Sequence, residues 1–287
     1  MRDDKSFTKG KVSEISMDEF KKRIRGKTLM DDKFMSAFFK DFPEGMELVL
    51  QIIIDRPDLE VMEMEVQMTM TNLYGRSIRM DVIARDEQGI VYNVEVQKAD
   101  KGAGYKRARY HSSMLDAANK NMIGENFDIL PKTIVIFICE NDIIKAGKPL
   151  YRINRHVEET GEIFKDDAQI IYVNGQIKDS STELGRLMQD FFEPDPGKMN
   201  NKKLADQARR LKYSEEGLEM VREYLTEDEW NTALQQGTEQ GIEQGATQKA
   251  IVTALSLLSL GKNTKEEIAL CTGLSIEEVE KLSVKHK

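Results

Sequence analysis

Asp81 and the run Val91-Tyr92-Asn93-Val94-Glu95-Val96-Gln97-Lys98 hold the residue types most capable of chemistry in this chain. Successive side chains of a strand point to opposite faces, so Asn93, Glu95 and Gln97 share one face and Val94, Val96 and Lys98 the other. Residues 77–85 alternate as well, and Asp86-Glu87-Gln88-Gly89 between the two runs reads as a hairpin turn ending in glycine. Pairing the strands brings Asp81 near Glu95. Two carboxylates so placed outline a site for a hard divalent cation such as magnesium, which takes one or two carboxylates together with waters and substrate phosphates. A metal held there lowers the pKa of a water and stabilises charge on a phosphate under attack, so phosphodiester cleavage is the obvious use. The plainer reading of the same spacing is a hairpin with a solvated polar face.

The elements that must position these residues follow from periodicity. Phe34, Met35, Phe38 and Phe39 predict a helix over 31–41, and Leu48, Val49, Leu50, Ile52 and Ile53 another over 45–54. A strand is expected within 59–71, with Glu60, Glu63 and Glu65 on its exposed face, and a long helix over 104–119. The continuous apolar run 133–139 fits a buried central strand. Helices before and after a mixed central sheet make a three-layer α/β domain.

Five segments across residues 30–190 resemble, in order, the PD-(D/E)XK nuclease family transposases. Leu29-Met30-Asp31-Asp32-Lys33-Phe34 resembles the opening helix, and Arg79-Met80-Asp81-Val82 with Asn93-Val94-Glu95-Val96-Gln97 the catalytic hairpin. Lys106-Arg107-Ala108-Arg109-Tyr110-His111-Ser112-Ser113 resembles the basic helix that follows. Residues 130–138 and 170–175 resemble later core strands. The resemblance implies a restriction-endonuclease-like core in which Asp81 and Glu95 coordinate Mg2+ (Mn2+ as a substitute), with the backbone carbonyl of Val96 as a third ligand. Gln97 stands at the superfamily's lysine position. Glutamine has no ionisable group, so it can orient a water but cannot deprotonate one, and activation falls to the metal. Lys98 faces away in a regular strand, whereas Lys106, Arg107, Arg109 and Tyr110 are candidates to reach substrate phosphate from the next helix. Asp31 matches the family's acidic helix residue, with Asp32 beside it; aspartate before an apolar periodic run is more commonly a helix N-cap.

Composition narrows the class. The 287 residues can bury a sizeable core and leave room for a small second unit. No apolar run approaches membrane-spanning length and no signal-peptide pattern opens the chain. Cys139 and Cys271 are isolated, and His111, His156 and His286 lack zinc spacing, so a reducing, cytoplasmic compartment without structural zinc is expected. Net charge is −8, but residues 1–28 form a basic arm with Lys21-Lys22-Arg23 and Arg25-Gly26-Lys27, the segment expected on a DNA backbone. Such arms also serve as disordered, solubilising segments.

After a nuclease-like domain over 29–192, a helical extension is expected over 198–235, with Trp230 as a packing residue. The repeat Gln236-Gly237, Gln240-Gly241, Gln244-Gly245 reads as a flexible or weakly helical linker over 236–249, since each glycine weakens a helix by about 1 kcal/mol. The remainder, 250–287, resembles a helix-turn-helix, with Gly273 in the turn and Ser275 capping the second helix. That helix presents Glu277, Glu278 and Glu280, which phosphates repel, so packing or oligomerisation ranks ahead of DNA reading.

The reading is therefore a Mg2+-dependent DNA endonuclease associated with transposition or recombination, with DNA as partner, no small-molecule cofactor, and a homodimer if both strands are cut. A nuclease-fold module that binds DNA or protein without cutting is the alternative. A strand-transferring enzyme with a third acid, Asp142 or Asp166, is a further one.

Overall fold

The computed structural model describes residues 16–71, 77–98, 100–118 and 127–285. Three helices lead in: α1 (Met17–Arg25), α2 (Asp32–Phe39) and α3 (Pro43–Ile54). Strands β1 (Val61–Thr71), β2 (Ser77–Asp86) and β3 (Val91–Gln97) follow, then α4 (Tyr105–Ala117), β4 (Thr133–Cys139), β5 (Leu150–Ile153), β6 (Ala168–Asn174), α5 (Glu183–Phe192) and α6 (Lys202–Tyr213). The strands form one sheet in the order β1-β2-β3-β4-β6-β5. β1, β2 and β3 are antiparallel neighbours, β3, β4 and β6 run parallel, and β5 returns antiparallel beside β6. This is a mixed-sheet α/β fold of the restriction-endonuclease-like kind.

The two-residue period of the strands sorts the core into two layers. Ile134, Ile136 and Ile138 of β4, with Tyr92, Val94 and Val96 of β3, pack against Phe34 and Phe38 of α2, Val49 and Leu50 of α3, Leu187 of α5 and Leu204 of α6. Val135, Phe137 and Cys139 point the other way and meet Ala108, Met114 and Leu115 of α4. Buried on both faces, β4 is apolar at nearly every position, as its sequence predicts. Each large side chain so buried contributes about 1.5–3 kcal/mol.

One expectation needs correction, and one open reading is decided. Residues 17–25 are a packed helix rather than an arm: Phe20 and Ile24 are fully buried, Ser16 caps the first turn, and Asp18 and Glu19 at the start with Lys22, Arg23 and Arg25 at the end complement the helix dipole. Lys27 is buried and ion-paired to Asp31. The basic residues here are thus largely helix-end charges on an amphipathic element; residues 1–15 lie outside the described ones. Of the flexible and weakly helical readings of the repeat over 236–249, the structure takes the helical one. Helix α7 (Glu215–Leu260) continues through the repeat, because the glutamines and glutamates between its glycines are good helix formers that offset the glycine cost. The side chain of Trp230 lies outside the described residues. Strand β5 was not foreseen; it is only four residues long and half exposed, too short to show a period.

The chain divides into two units, residues 1–226 and 227–287. In the second, Ala254 of α7 packs with Ile268 of α8 (Lys265–Thr272) and Val279 of α9 (Ile276–Lys285). Thr264 and Glu267 form a capping box, and Gly273 ends α8 at φ 75°, the left-handed conformation that suits glycine. Glu277, Glu278 and Glu280 are exposed on α9. Among the described residues no helix is long and apolar enough to cross a membrane.

Candidate active site

The β2–β3 hairpin turns at Asp86-Glu87-Gln88-Gly89, where Gly89 takes φ 79°. From the turn the strands pair regularly up to Val82 opposite Val94. There the backbone ladder gives way to side chains. The Asp81 N–H donates to Glu95 Oε1 at 3.0 Å, and the Val96 N–H donates to Asp81 Oδ2 at 3.1 Å. Two carboxylates thus substitute for backbone acceptors at the point where the strands separate. Across β1, the position level with Asp81 is Gln67, which adopts φ 54°, a left-handed conformation uncommon for a residue with a side chain. Its side-chain oxygen accepts from Arg79.

Glu95 is fully buried, and its two oxygens are treated unequally. Oε1 also accepts from Asn93 Nδ2 at 2.8 Å. Oε2 is buried and, among the described residues, accepts no hydrogen bond; the Arg107 guanidinium lies 3.7 Å away. That is an ion-pair distance and too long for a hydrogen bond. Asp81 Oδ1 likewise accepts no hydrogen bond among the described residues. Burial first, with the field of Asp32 added, pushes Glu95 up to about 7 against the hydrogen bonds from Asn93 and Asp81 and the charge of Arg107. Asp81 is raised well above the usual carboxylate range by burial and then by the charges of Glu95 and Asp32, opposed by the Val96 N–H and Arg107. Both acids therefore resist ionising beside one another, and a cation placed between them would relieve that resistance.

The donor set fits a hard divalent ion. No three His, Cys, Asp or Glu side chains among the described residues converge into an all-protein cage. A cation here would be held by Asp81 and Glu95 and completed by waters, a backbone carbonyl or substrate phosphate, which is how magnesium is usually bound.

The remaining predicted residues fall in distinct places. Asp31, at the start of α2, makes no capping bond; its carboxylate accepts from the Thr28 N–H at 2.9 Å, Lys27 Nζ at 3.2 Å and Lys98 Nζ at 2.6 Å. Those bonds and charges hold its pKa down although burial pushes it up. Lys98 therefore leaves the end of β3 for Asp31, as strand alternation predicts, and the acid of this pair whose field reaches Asp81 and Glu95 is the exposed Asp32. Arg107 is the basic residue of α4 that the fold brings to Glu95. Lys106 and Arg109 stay on the solvent face of the helix, and Tyr110 packs beside the α4-side core. Gln97 lies against the short 3-10 turn Asp100–Ala103, so close to Gly102 that a Cβ there would sit 1.7 Å from its Oε1. Asp142 and Asp166, the downstream acids of the three-acid alternative, are engaged elsewhere. Asp142 accepts from the N–H groups of Lys145 and Gly147 and from Tyr151, and Asp166 pairs with Arg155.

His111 is the residue that sequence reasoning missed. It is fully buried beneath Glu95, with Nδ1 2.8 Å from Asn93 Oδ1, Nε2 accepting from Arg107 Nε at 3.2 Å, and its ring edge-on to Phe137. Burial and then the Arg107 charge bring its pKa down to about 4, so it is neutral at pH 7. The only signal in the sequence is the four-residue step from Arg107 to His111, which puts both on one face of α4.

A family model described as PD-(D/E)XK nuclease family transposase matches residues 58–183, the stretch from the start of β1 to the start of α5. The match takes in Asp81, Glu95, Gln97 and all of α4, and supports a nuclease- or transposase-related function. No curated protein and no solved structure matches the chain.

Proposed function

We propose that this chain, which over residues 58–183 matches the PD-(D/E)XK nuclease family transposases, is a Mg2+-dependent DNA endonuclease acting in transposition or recombination, with Asp81 and Glu95 as metal ligands. One observation carries the reading: a buried carboxylate oxygen, Glu95 Oε2, lacks any hydrogen-bond donor while a second buried-side acid, Asp81, is fixed beside it. Leaving such a group unmatched costs a fold about 1–3 kcal/mol or more, which a purely structural hairpin has no reason to retain.

The bound metal supplies an activated water and charge neutralisation at the phosphate. The protein's own residues orient and hold. Asp81 is fixed by the Val96 N–H and Glu95 by Asn93 and the Asp81 N–H, so neither ligand has to be ordered when the ion binds. The Val96 carbonyl is the third ligand of this proposal. Arg107, about two-fifths exposed, can meet a phosphate oxygen, and Gln97 can hold a water by hydrogen bonds without taking its proton. Asp32 adds a negative field favouring the cation.

A non-cutting DNA- or protein-binding module is favoured by one feature, the glutamine amide of Gln97 where an ionisable base would stand. Plasmid cleavage separates the two. With Mg2+ or Mn2+ the wild type is expected to cut, and chelator, Asp81→Ala or Glu95→Ala to reduce cutting at least a thousandfold, as loss of a metal ligand implies. Binding without cutting under every metal supports the module; cutting that survives both substitutions places the activity elsewhere.

A further inference from the structure

Resting on that metal-site reading, we propose that His111 is a positioning residue, locked as the Nδ1–H tautomer, in a one-directional hydrogen-bond chain that leaves Glu95 Oε2 as the oxygen offered to the metal.

The direction of every bond in the chain follows from donor and acceptor chemistry. Arg107 carries only donors, so the His111 Nε2 that faces its Nε at 3.2 Å is an acceptor and carries no proton. A neutral imidazole then has its proton on Nδ1, which faces Asn93 Oδ1 at 2.8 Å. With its oxygen accepting there, Asn93 turns its amide nitrogen to two acceptors, the Val82 carbonyl at 3.3 Å and Glu95 Oε1 at 2.8 Å. A flipped amide would set oxygen against both. Oε1 thus receives two N–H donors, from Asn93 and from the Asp81 backbone, and is saturated. A half-turn of the carboxylate only exchanges two equivalent oxygens, and any lesser rotation loses these bonds, so one oxygen, here Oε2, is always the one left without a donor. The loop closes where the Arg107 guanidinium lies 3.7 Å from Oε2. Buried side chains that orient a metal ligand in this way commonly set affinity by ten- to a hundredfold.

Two substitutions separate the arms of the imidazole. In His111→Asn the amide nitrogen occupies the place of Nδ1 and can still donate to Asn93, whereas in His111→Gln the amide oxygen occupies the place of Nε2 and can still accept from Arg107. Each keeps one hydrogen bond and loses one, so they are matched for stability, checked by thermal melts. Mn2+ affinity is measured by titration calorimetry on the full chain at pH 7.5. The expected result is binding within about threefold of wild type for His111→Asn and at least tenfold weaker for His111→Gln. Equal affinity in both, or the reverse order, overturns the proposal. The tautomer is read independently from long-range proton–nitrogen spectra of the imidazoles, with His111→Asn identifying the signal. An Nδ1–H pattern supports the chain and an Nε2–H pattern overturns it. A wild type that binds no Mn2+ sinks the metal-site reading, and the spectrum alone then decides the hydrogen-bond chain.

Discussion

One hairpin carries a buried acid at each end, and the two are treated in opposite ways. Asp86, at the turn, has a side chain with 0% exposure, as does Glu95 at the open end. Asp86 Oδ1 accepts from the N–H groups of Gln88 and Ile90, and Oδ2 from Tyr92 Oη at 2.8 Å and Arg56 at 3.0 Å. Every lone pair that matters has a donor. Glu95 has one oxygen saturated and the other bare. The same residue chemistry on the same pair of strands is finished within the protein at one end and leaves an oxygen without a donor at the other, the one that the proposed function gives to the metal. Burial is common to both acids; the unmet acceptor is what separates Glu95 from Asp86 and makes it the candidate.

The largest effect that tests the contrast is at the structural end. Asp86→Ala strands the Arg56 cation, the Tyr92 hydroxyl and two backbone donors, and is expected to lower unfolding stability by about 3–5 kcal/mol, measured by urea denaturation. Glu95→Gln should do the reverse. A carboxylate whose folded pKa is raised contributes stability that is fully present below its unfolded value, near 4.5, and is lost as pH rises through about 7. In chelator at pH 8 the neutral variant should be more stable than wild type by roughly 3 kcal/mol, shrinking to nothing near pH 4. Destabilisation at pH 8 would mean that Glu95 is another structural acid and that the contrast is empty.

Cation binding sharpens the same point at a smaller scale. Ca2+ at about ten to a hundred times its dissociation constant should stabilise the wild type by about 1–3 kcal/mol at pH 8 and much less at pH 5, where the acids hold their protons. The shift should vanish in Glu95→Gln. A melt that moves equally at both pH values would show that the ion binds elsewhere. The smallest effect is expected at Gly102. Adding a methyl there displaces the Gln97 amide, so Gly102→Ala should slow cleavage about tenfold while changing stability by less than about 1 kcal/mol. Unchanged cleavage would remove Gln97 from the site.

Much of the frame was legible because local rules governed it. The run 133–139 is a strand at those bounds, the run 91–98 is a strand that ends one residue earlier at Gln97, and α2, α3 and α4 lie within two residues or so of where periodicity puts them. The pairing of Asp81 with Glu95 followed from a short turn and a two-residue period. Where local rules fell short, composition outweighed pattern. Residues 17–25 read as an arm because their lysines and arginines outnumber the apolar residues, yet Phe20 and Ile24, four apart, suffice to bury one face. The glycine repeat leaves flexible and helical readings open, and the helix forms because propensity acts across the whole element and not glycine by glycine.

The sequence by itself determined which residues face one another across the hairpin, since register and side-chain direction are properties of the strand and its turn. It determined that Gln97 cannot be a base. Only the tertiary structure decided that Asp31 is neutralised by Lys27 and Lys98, that Arg107 rather than Lys106 or Arg109 reaches Glu95, and that His111 lies beneath it against Asn93. Those are contacts between elements up to 67 residues apart in the chain, set by how α2 and α4 pack on opposite faces of the sheet. Which oxygen of Glu95 is satisfied and which is bare depends on the β2 backbone donor of Asp81 meeting the Asn93 amide, whose oxygen faces His111 of α4, and no local pattern records that.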